Sequence, residues 1–243
     1  MRNHNEEFQD NQERKYAYEF DWVLRKYLLK TFSPYFKLEG KTLELGCFMG
    51  DMTEMLLKYF QDMTVIEGSS ELCLAVTQRF PGRLETINST FEKAQINDKF
   101  ENIFLIHTLE HLDDPIAVLS KIKEWLTPNG RLFVAVPNAH ALSRQIAVKM
   151  GLISFNSSVT DGEHLHGHRR TYSMDMLQYH LLESGYRFLN SGGVLLKPLA
   201  NFQFDKALAA GIVDEAYLNG CYELGKLYPD LCASIFLICE KGD

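Results

Sequence analysis

Apolar positions follow two rhythms along this chain. Short apolar runs fall near residues 41–45, 63–67, 84–88, 102–107, 130–136, 186–195 and 232–240, and they predict strands. Between them, residues 51–60, 70–79, 114–126 and 173–184 carry apolar residues at helical spacing. An earlier stretch, 14–33, predicts an amphipathic helix with Tyr18, Trp22, Leu24, Leu28 and Leu29 on its buried side, ended by Pro34. Strand and helix alternate from residue 41 onward. That order predicts an α/β fold, a doubly wound and mostly parallel seven-stranded sheet with helices on both faces.

The same pattern sets the organisation. A length of 243 residues suits one domain spanning 1–243, with an N-terminal helical cap over 1–38 whose first 13 residues read as frayed. Thr127-Pro128-Asn129-Gly130 is a turn signal ahead of the fifth strand. Two segments, 138–172 and 196–231, exceed what short connections need. They read as insertions, the first as a lid and the second as packing, a pocket wall or a dimer contact.

Composition narrows the function classes. Apolar residues make up 46% of the chain, enough for a sizeable core, and the net charge is −7. Nucleic-acid binding needs basic surface, so it is not expected. The five cysteines (47, 73, 221, 232, 239) form no Cys-x-x-Cys pair. They read as buried thiols of a reducing compartment. The polar N-terminus has no signal-peptide core, and no apolar run reaches about 18 residues, so a cytoplasmic protein without a membrane span is expected.

The stretch LELGCFMGD, residues 43–51, carries the clearest chemistry. A strand ends in a turn with two glycines, Gly46 and Gly50, and a helix begins. Glycine allows close backbone approach, and a helix start directs N–H groups and a positive dipole end at a ligand. Glu67 ends the second strand about 20 residues on, where an acid can hold a ribose diol. Together these predict an adenosine-containing cofactor. The spacing Gly46-x-x-x-Gly50 is not the dinucleotide fingerprint. Glu44 would face the pocket, and a carboxylate there repels a pyrophosphate but suits a cationic ligand. S-adenosylmethionine (SAM), with its ammonium, sulfonium and ribose, fits better. A nicotinamide-dependent oxidoreductase is the disfavoured alternative.

An ordered set of segments points further: LELGCFMGD, VIEGSS (65–70), NSTFEKA (88–94), NIFLIHTLEHLDDP (102–115), LTPNGRLFVAVPN (126–138), GHRRTYSMDML (167–177) and SGYRF (184–188). From about residue 40 to 190 the chain resembles class I SAM-dependent methyltransferases, close to the small-molecule O-methyltransferases of ubiquinone and sugar biosynthesis. The resemblance implies a Rossmann-like fold, SAM as cofactor and S-adenosylhomocysteine as product. It implies a cofactor set of Glu44, Gly46, Cys47, Phe48, Gly50, Glu67, Gly68, Thr90, Phe91 and His107, with the adenine held at Ser89-Thr90-Phe91. Phe48 replaces a glycine of the family, so its side chain must point away from the cofactor or alter the methionine end of the pocket. That replacement keeps alive a second alternative, a silent SAM-binding partner subunit.

The acceptor side is histidine-rich. His107, Glu110 and His111 lie at the end of the fourth strand, where doubly wound sheets bind ligands. His-x-x-Glu-His also matches an inverted zinc-protease pattern, which the strand context disfavours. Some ubiquinone-type relatives hold a hard divalent ion with acids here; His107 replaces one such acid, and no metal is expected. The resemblance places His168 beside the acceptor as a candidate base, with His111 and His164 as further candidates. Histidine suits that task because its ordinary pKa lies near working pH. Asn138, His166, Arg169, Arg170 and Tyr172 are candidate substrate contacts, the arginines for an anionic group. The expected activity is O-methylation of a small polar acceptor (a sugar, a nucleotide-linked sugar or another anionic metabolite) by a monomer or homodimer.

Overall fold

The computed structural model describes residues 18–242. Residues 14–17 of the predicted first helix lie outside the described residues. The described residues open with α1 (Glu19–Phe32), then β1 (Thr42–Leu45), α2 (Asp51–Leu56), β2 (Met63–Glu67), α3 (Ser70–Arg79), β3 (Glu85–Asn88) and β4 (Phe100–Ile106). It continues with α4 (Pro115–Trp125), β5 (Leu126–Pro137), α5 (Leu142–Lys149), α6 (Asp161–Leu165), α7 (Met174–Glu183) and β6 (Tyr186–Leu196). Last come α8 (Asn201–Ala209), α9 (Glu215–Leu227) and β7 (Cys232–Lys241). The seven strands form one sheet in the order β3-β2-β1-β4-β5-β7-β6, in which β7 runs antiparallel to both its neighbours.

Period-2 alternation in the central strands builds a core on each face of the sheet. Ile103 and Leu105 of β4 join Leu132, Val134 and Val136 of β5 and the inner faces of α4 and α7. Phe104, Phe133 and Ala135 point the other way, toward α1, α2, α8 and α9. Phe104 and Phe133 are register partners with ring centroids 4.7 Å apart, and Phe36 lies edge-on to both. Burial on both faces explains why these strands read as continuous apolar runs.

Several details depart from the sequence expectations. The turn signal at 127–130 becomes a bulge: Phe100 pairs with Leu126 and Asn102 with Arg131, so the extra residues leave the ladder. Trp22, expected in the buried face of α1, is exposed; Phe20, Leu24, Tyr27 and Leu28 carry that face. The second predicted helix, 51–60, stops at Leu56. Both insertions contain helices, α5 and α6 in the first and α8 and α9 in the second. All five cysteines are free thiols, with Cys221 half-exposed and the rest buried.

α1 is pinned by the second insertion. Asp205 of α8 accepts hydrogen bonds from the Glu19 and Phe20 backbone N–H groups, at 3.2 and 3.0 Å, so a residue remote in sequence supplies the N-terminal acceptor of α1. Phe20 packs on Phe204 of the same helix, with centroids 4.9 Å apart. Removing the acceptor with Asp205→Ala should cost about 0.5–2 kcal/mol, the usual scale for an N-cap. Asp205→Asn, which keeps an acceptor oxygen, should lose less; urea titration of both variants measures this.

Candidate active site

The parallel strands β1 to β5 present their carboxyl ends along one edge, where doubly wound sheets place their ligands. The turn after β1 is conformationally specialised. Gly46 and Gly50 take φ of +77° and +85°. A Cβ on Gly46 would lie 2.9 Å from Thr108 Oγ1, and one on Gly50 would lie 2.9 Å from Phe80 Cε2. The two glycines are therefore required by the turn and its protein neighbours before any ligand enters. Between them Phe48 also sits left-handed, at φ +48°. A non-glycine residue there costs of order 1–3 kcal/mol. Its N–H donates to Glu67 Oε2 at 3.3 Å, which helps hold it. Phe48 is among the residues that line the cavity below the turn.

That cavity, about 320 Å3, suits a small ligand. Glu44, Gly46, Cys47 and Phe48 form one wall, and Ile106, His107 and Glu110 from the end of β4 form the floor. The 138–172 segment contributes Arg144, Glu163, His166 and His168. α1 contributes Phe20, Asp21 and Arg25, and the residues after β6 contribute Lys197 and Asn201. Among the described residues, the Arg25 guanidinium makes no hydrogen bond or ion pair, while it sits close enough to Glu44 and His107 to act on both electrostatically.

Burial sets the protonation of this site. It raises Glu44 to about 7, against a 2.6 Å hydrogen bond from Thr53 Oγ1 that favours the ionised form. It raises Glu110 to about 8, and neither Glu110 carboxylate oxygen finds a hydrogen-bond partner among the described residues. It lowers His107 to about 3 and His168 to about 4, so both are neutral at pH 7. His168 therefore departs from the expected base with a pKa near working pH. Burial also lowers Lys197 to about 8, with its Nζ bonded to the Leu199 carbonyl and Asn201 Oδ1. His107 holds left-handed backbone, φ +51°, and its Nε2 lies 2.8 Å from Ser234 Oγ.

Other predicted positions resolve differently. Glu67 ends β2, accepting from the N–H groups of Ser69 and Phe48. Gly68 follows it, its carbonyl accepting from Asn88. Neither lines the cavity, and nor do Thr90 and Phe91; they lie at the ends of β2 and β3, and the Phe91 side chain is in the core. Asn138 lines the cavity, but its amide is occupied: Nδ2 donates to the Asp230 and Cys232 carbonyls, and Oδ1 accepts from His140 N–H. Tyr172 is fully buried, its hydroxyl 3.1 Å from His180 Nδ1, and touches no open space. Arg169 pairs with exposed Asp113, and Arg170 donates to the Leu112 and Asp113 carbonyls. Both arginines bond the 112–113 segment and lie outside the cavity. His164 is exposed on α6 and lies off the cavity wall. His111 stands behind His168, the two rings edge to face with centroids 4.6 Å apart.

The cavity's own cations, Arg25, Arg144 and Lys197, were not among the expected substrate contacts. Arg144 is tied into the 138–172 segment by Glu163 and the Asn156 and Ser158 carbonyls. Nothing local marks Arg25 or Lys197, since each becomes a site residue only when α1 and the second insertion fold over the strand ends.

The residues of the cavity are compatible with SAM, a cationic ligand that also carries a carboxylate: a buried acid stands in the glycine turn, and the Arg25 guanidinium makes no hydrogen bond or ion pair among the described residues. A hard divalent ion fits poorly, since the acid that would hold it is His107, which is turned to Ser234.

Comparison with known proteins agrees with this reading. The methyltransferase domain family matches residues 11–190. The mitochondrial ubiquinone biosynthesis O-methyltransferase of Schizosaccharomyces pombe is 26% identical over 117 residues, covering 45% of this chain and 42% of that protein. The Xylella fastidiosa ubiquinone biosynthesis O-methyltransferase is 29% identical over 116 residues, 45% of this chain and 46% of that one. The chain thus spans about half the length of the curated relatives it matches. Among solved structures, a SAM-dependent methyltransferase of Thermotoga maritima, described as a possible histamine N-methyltransferase, superposes with a TM-score of 0.63 at 14% identity, covering 97% of this chain and 99% of that one. The chain belongs to the methyltransferase domain family and carries the fold of SAM-dependent methyltransferases.

Proposed function

We propose that this protein methylates a hydroxyl oxygen of a small polar acceptor bound in the cavity. The observation that carries the reading is the glycine turn with its buried acid, Glu44, opening onto a cavity that a lid histidine, His168, closes from the other side. The O-methyltransferase names of the sequence relatives support oxygen as the target. Glu44 would hold the ammonium and Arg25 the carboxylate at the methionine end, while Glu67 would bond the ribose diol at the end of β2. Gly46, Cys47, Phe48 and Gly50 shape the turn, and Gly68, Thr90 and Phe91 border the adenine side. SAM, when bound, supplies a methyl group on a positively charged sulfur.

The chain's remaining task is alignment and proton handling. His168, neutral across the physiological range, would accept the acceptor's hydroxyl hydrogen bond at an imidazole nitrogen and take its proton as the oxygen is alkylated. An acceptor anion would meet Arg25 and Lys197 rather than Arg169 and Arg170. This preserves the anionic acceptor, a sugar, nucleotide-linked sugar or similar metabolite, with a different recognition set. A silent SAM-binding subunit would bind S-adenosylhomocysteine equally well yet never turn over, so a panel of hydroxylated acceptors separates the two.

Three outcomes test the assignments. Glu67→Ala should weaken S-adenosylhomocysteine binding by roughly 1.5–3 kcal/mol, the scale of a hydrogen bond to a charged group; unchanged affinity by calorimetry removes Glu67 from the site.

Glu44 gives a pH signature. Its folded pKa, about 7, lies above the ordinary glutamate value of 4.5, so the ligand-free fold binds the extra proton and loses stability as pH rises from 4.5 toward 7. A bound ammonium requires the ionised form. Affinity should therefore fall as pH drops below 7, by up to about tenfold per unit. Glu44→Gln should flatten that dependence, which calorimetry from mildly acidic to mildly basic pH would read.

His168→Ala should lower kcat by about 100-fold, the lower end of general-base effects because an imidazole of pKa about 4 is a weak base. SAM affinity should hardly change. A rise in KM with kcat intact would make His168 a binding residue only.

A further inference from the structure

Lys197 is a buried charge without a counter-ion. It follows β6, lines the cavity and is 5% exposed. Its Nζ donates to two neutral acceptors, the Leu199 carbonyl at 2.9 Å and Asn201 Oδ1 at 2.7 Å, and lies 4.6 Å from the centroid of the Phe20 ring. An ammonium has three N–H donors, so one is left over. Asp21 and Asp205 favour its charge through space, but neither forms an ion pair with it among the described residues. Both acids are engaged elsewhere, Asp21 with the Tyr18 N–H and Asn201 Nδ2, and Asp205 with the start of α1. Burying a cation without a matching charge is unfavourable, and burial lowers Lys197 to about 8.

The other cations of the cavity have partners or an assigned task. Arg144 pairs with Glu163 at 2.6 Å. Arg25 acts on Glu44 and His107, at the end of the cavity where the methyltransferase reading, on which this step rests, seats the cofactor carboxylate. Lys197 is the cation left wholly to the acceptor.

We propose that Lys197 binds a carboxylate carried by the methyl acceptor, so that the substrate is a hydroxy carboxylic acid, such as a sugar acid, in preference to a neutral polyol or a nucleotide-linked sugar. One ammonium with one unused N–H is a point charge and suits a monoanion. A pyrophosphate carries more charge than that ammonium can balance. Lys197 lies beyond residues 11–190, the span that matches the methyltransferase domain family, so this selectivity belongs to the second insertion and not to the shared fold. A Lys197 that served only to tie the end of β6 to α8 through Asn201 could be replaced by glutamine, which also donates.

The test uses the full-length protein with saturating S-adenosylhomocysteine and two matched pairs of probes, glucuronate with glucose and mandelate with mandelamide, together with inorganic phosphate, all titrated by calorimetry. At least one carboxylate should bind about 10- to 100-fold more tightly than its neutral partner, the scale of a hydrogen bond to a charged group. Lys197→Gln should erase that preference and Lys197→Arg should keep part of it, with S-adenosylhomocysteine affinity unchanged in both. Arg169→Gln, outside the cavity, should leave the preference intact. If Lys197→Gln does not fold by circular dichroism, Lys197→Met replaces it. The proposal is overturned by equal binding of carboxylates and neutral partners, by a preference that survives Lys197→Gln, by phosphate binding more tightly than either carboxylate, or by loss of S-adenosylhomocysteine affinity in Lys197→Gln. S-adenosylhomocysteine binding to the wild type is measured first. If it is absent the methyltransferase reading fails, and the same probe pairs titrated on the ligand-free protein still test Lys197.

Discussion

Desolvation at the carboxyl edge of the sheet is the constraint on which this site depends. Glu44 and Glu110 sit where β1 and β4 end, and His107 and His168 face the same closed space. Removing water from these groups disfavours every charged form. Burial therefore raises both acids and lowers both imidazoles. The result is a cavity in which these two acids and two imidazoles lean toward their neutral forms, beside the cations Arg25, Arg144 and Lys197. A cationic cofactor beside Glu44 would favour its ionised form.

The closed space exists only because separate parts of the chain fold over the strand ends. α1 is held down by Asp205 from the second insertion, and the 138–172 segment is fastened to the turn after β4 by a backbone hydrogen bond from Arg169 to Glu110. The two-sided core makes the edge itself rigid, with Phe104, Phe133 and Phe36 packed beneath α1 and α2. Strain concentrates where that rigidity permits it. Phe48 and His107, the non-glycine residues with left-handed backbone in the cavity wall, lie on facing turns of the site. Both would relax if the surrounding packing did not hold them.

Much of the framework was legible in the sequence. All seven strands and the alternation with helices followed from apolar runs, because strands buried on both faces need apolar residues at nearly every position. Glu44, Gly46 and Gly50 were legible because a strand-to-helix turn with positive φ has few sequence solutions. His168 was placed correctly in the cavity, yet its protonation was not. An isolated histidine suggests a pKa near 6.5, and only the burial around it moves it to about 4. Arg169 and Arg170 lie outside the cavity with acceptors in the 112–113 turn, a placement that spacing along the chain does not reveal.

The sequence by itself determined the sheet, its order of elements, the glycine turn and the family, all of which depend on residues near one another along the chain. Tertiary structure decided which charges share the cavity. Arg25 and Lys197 reach it from distant parts of the chain, Tyr172 and Asn138 are consumed by core and backbone partners, and Glu110, His111 and His168 meet across a long stretch of sequence. Periodicity encodes which face of an element is buried, but not what another element will set against it. Electrostatics in a dry cavity depends on that second fact.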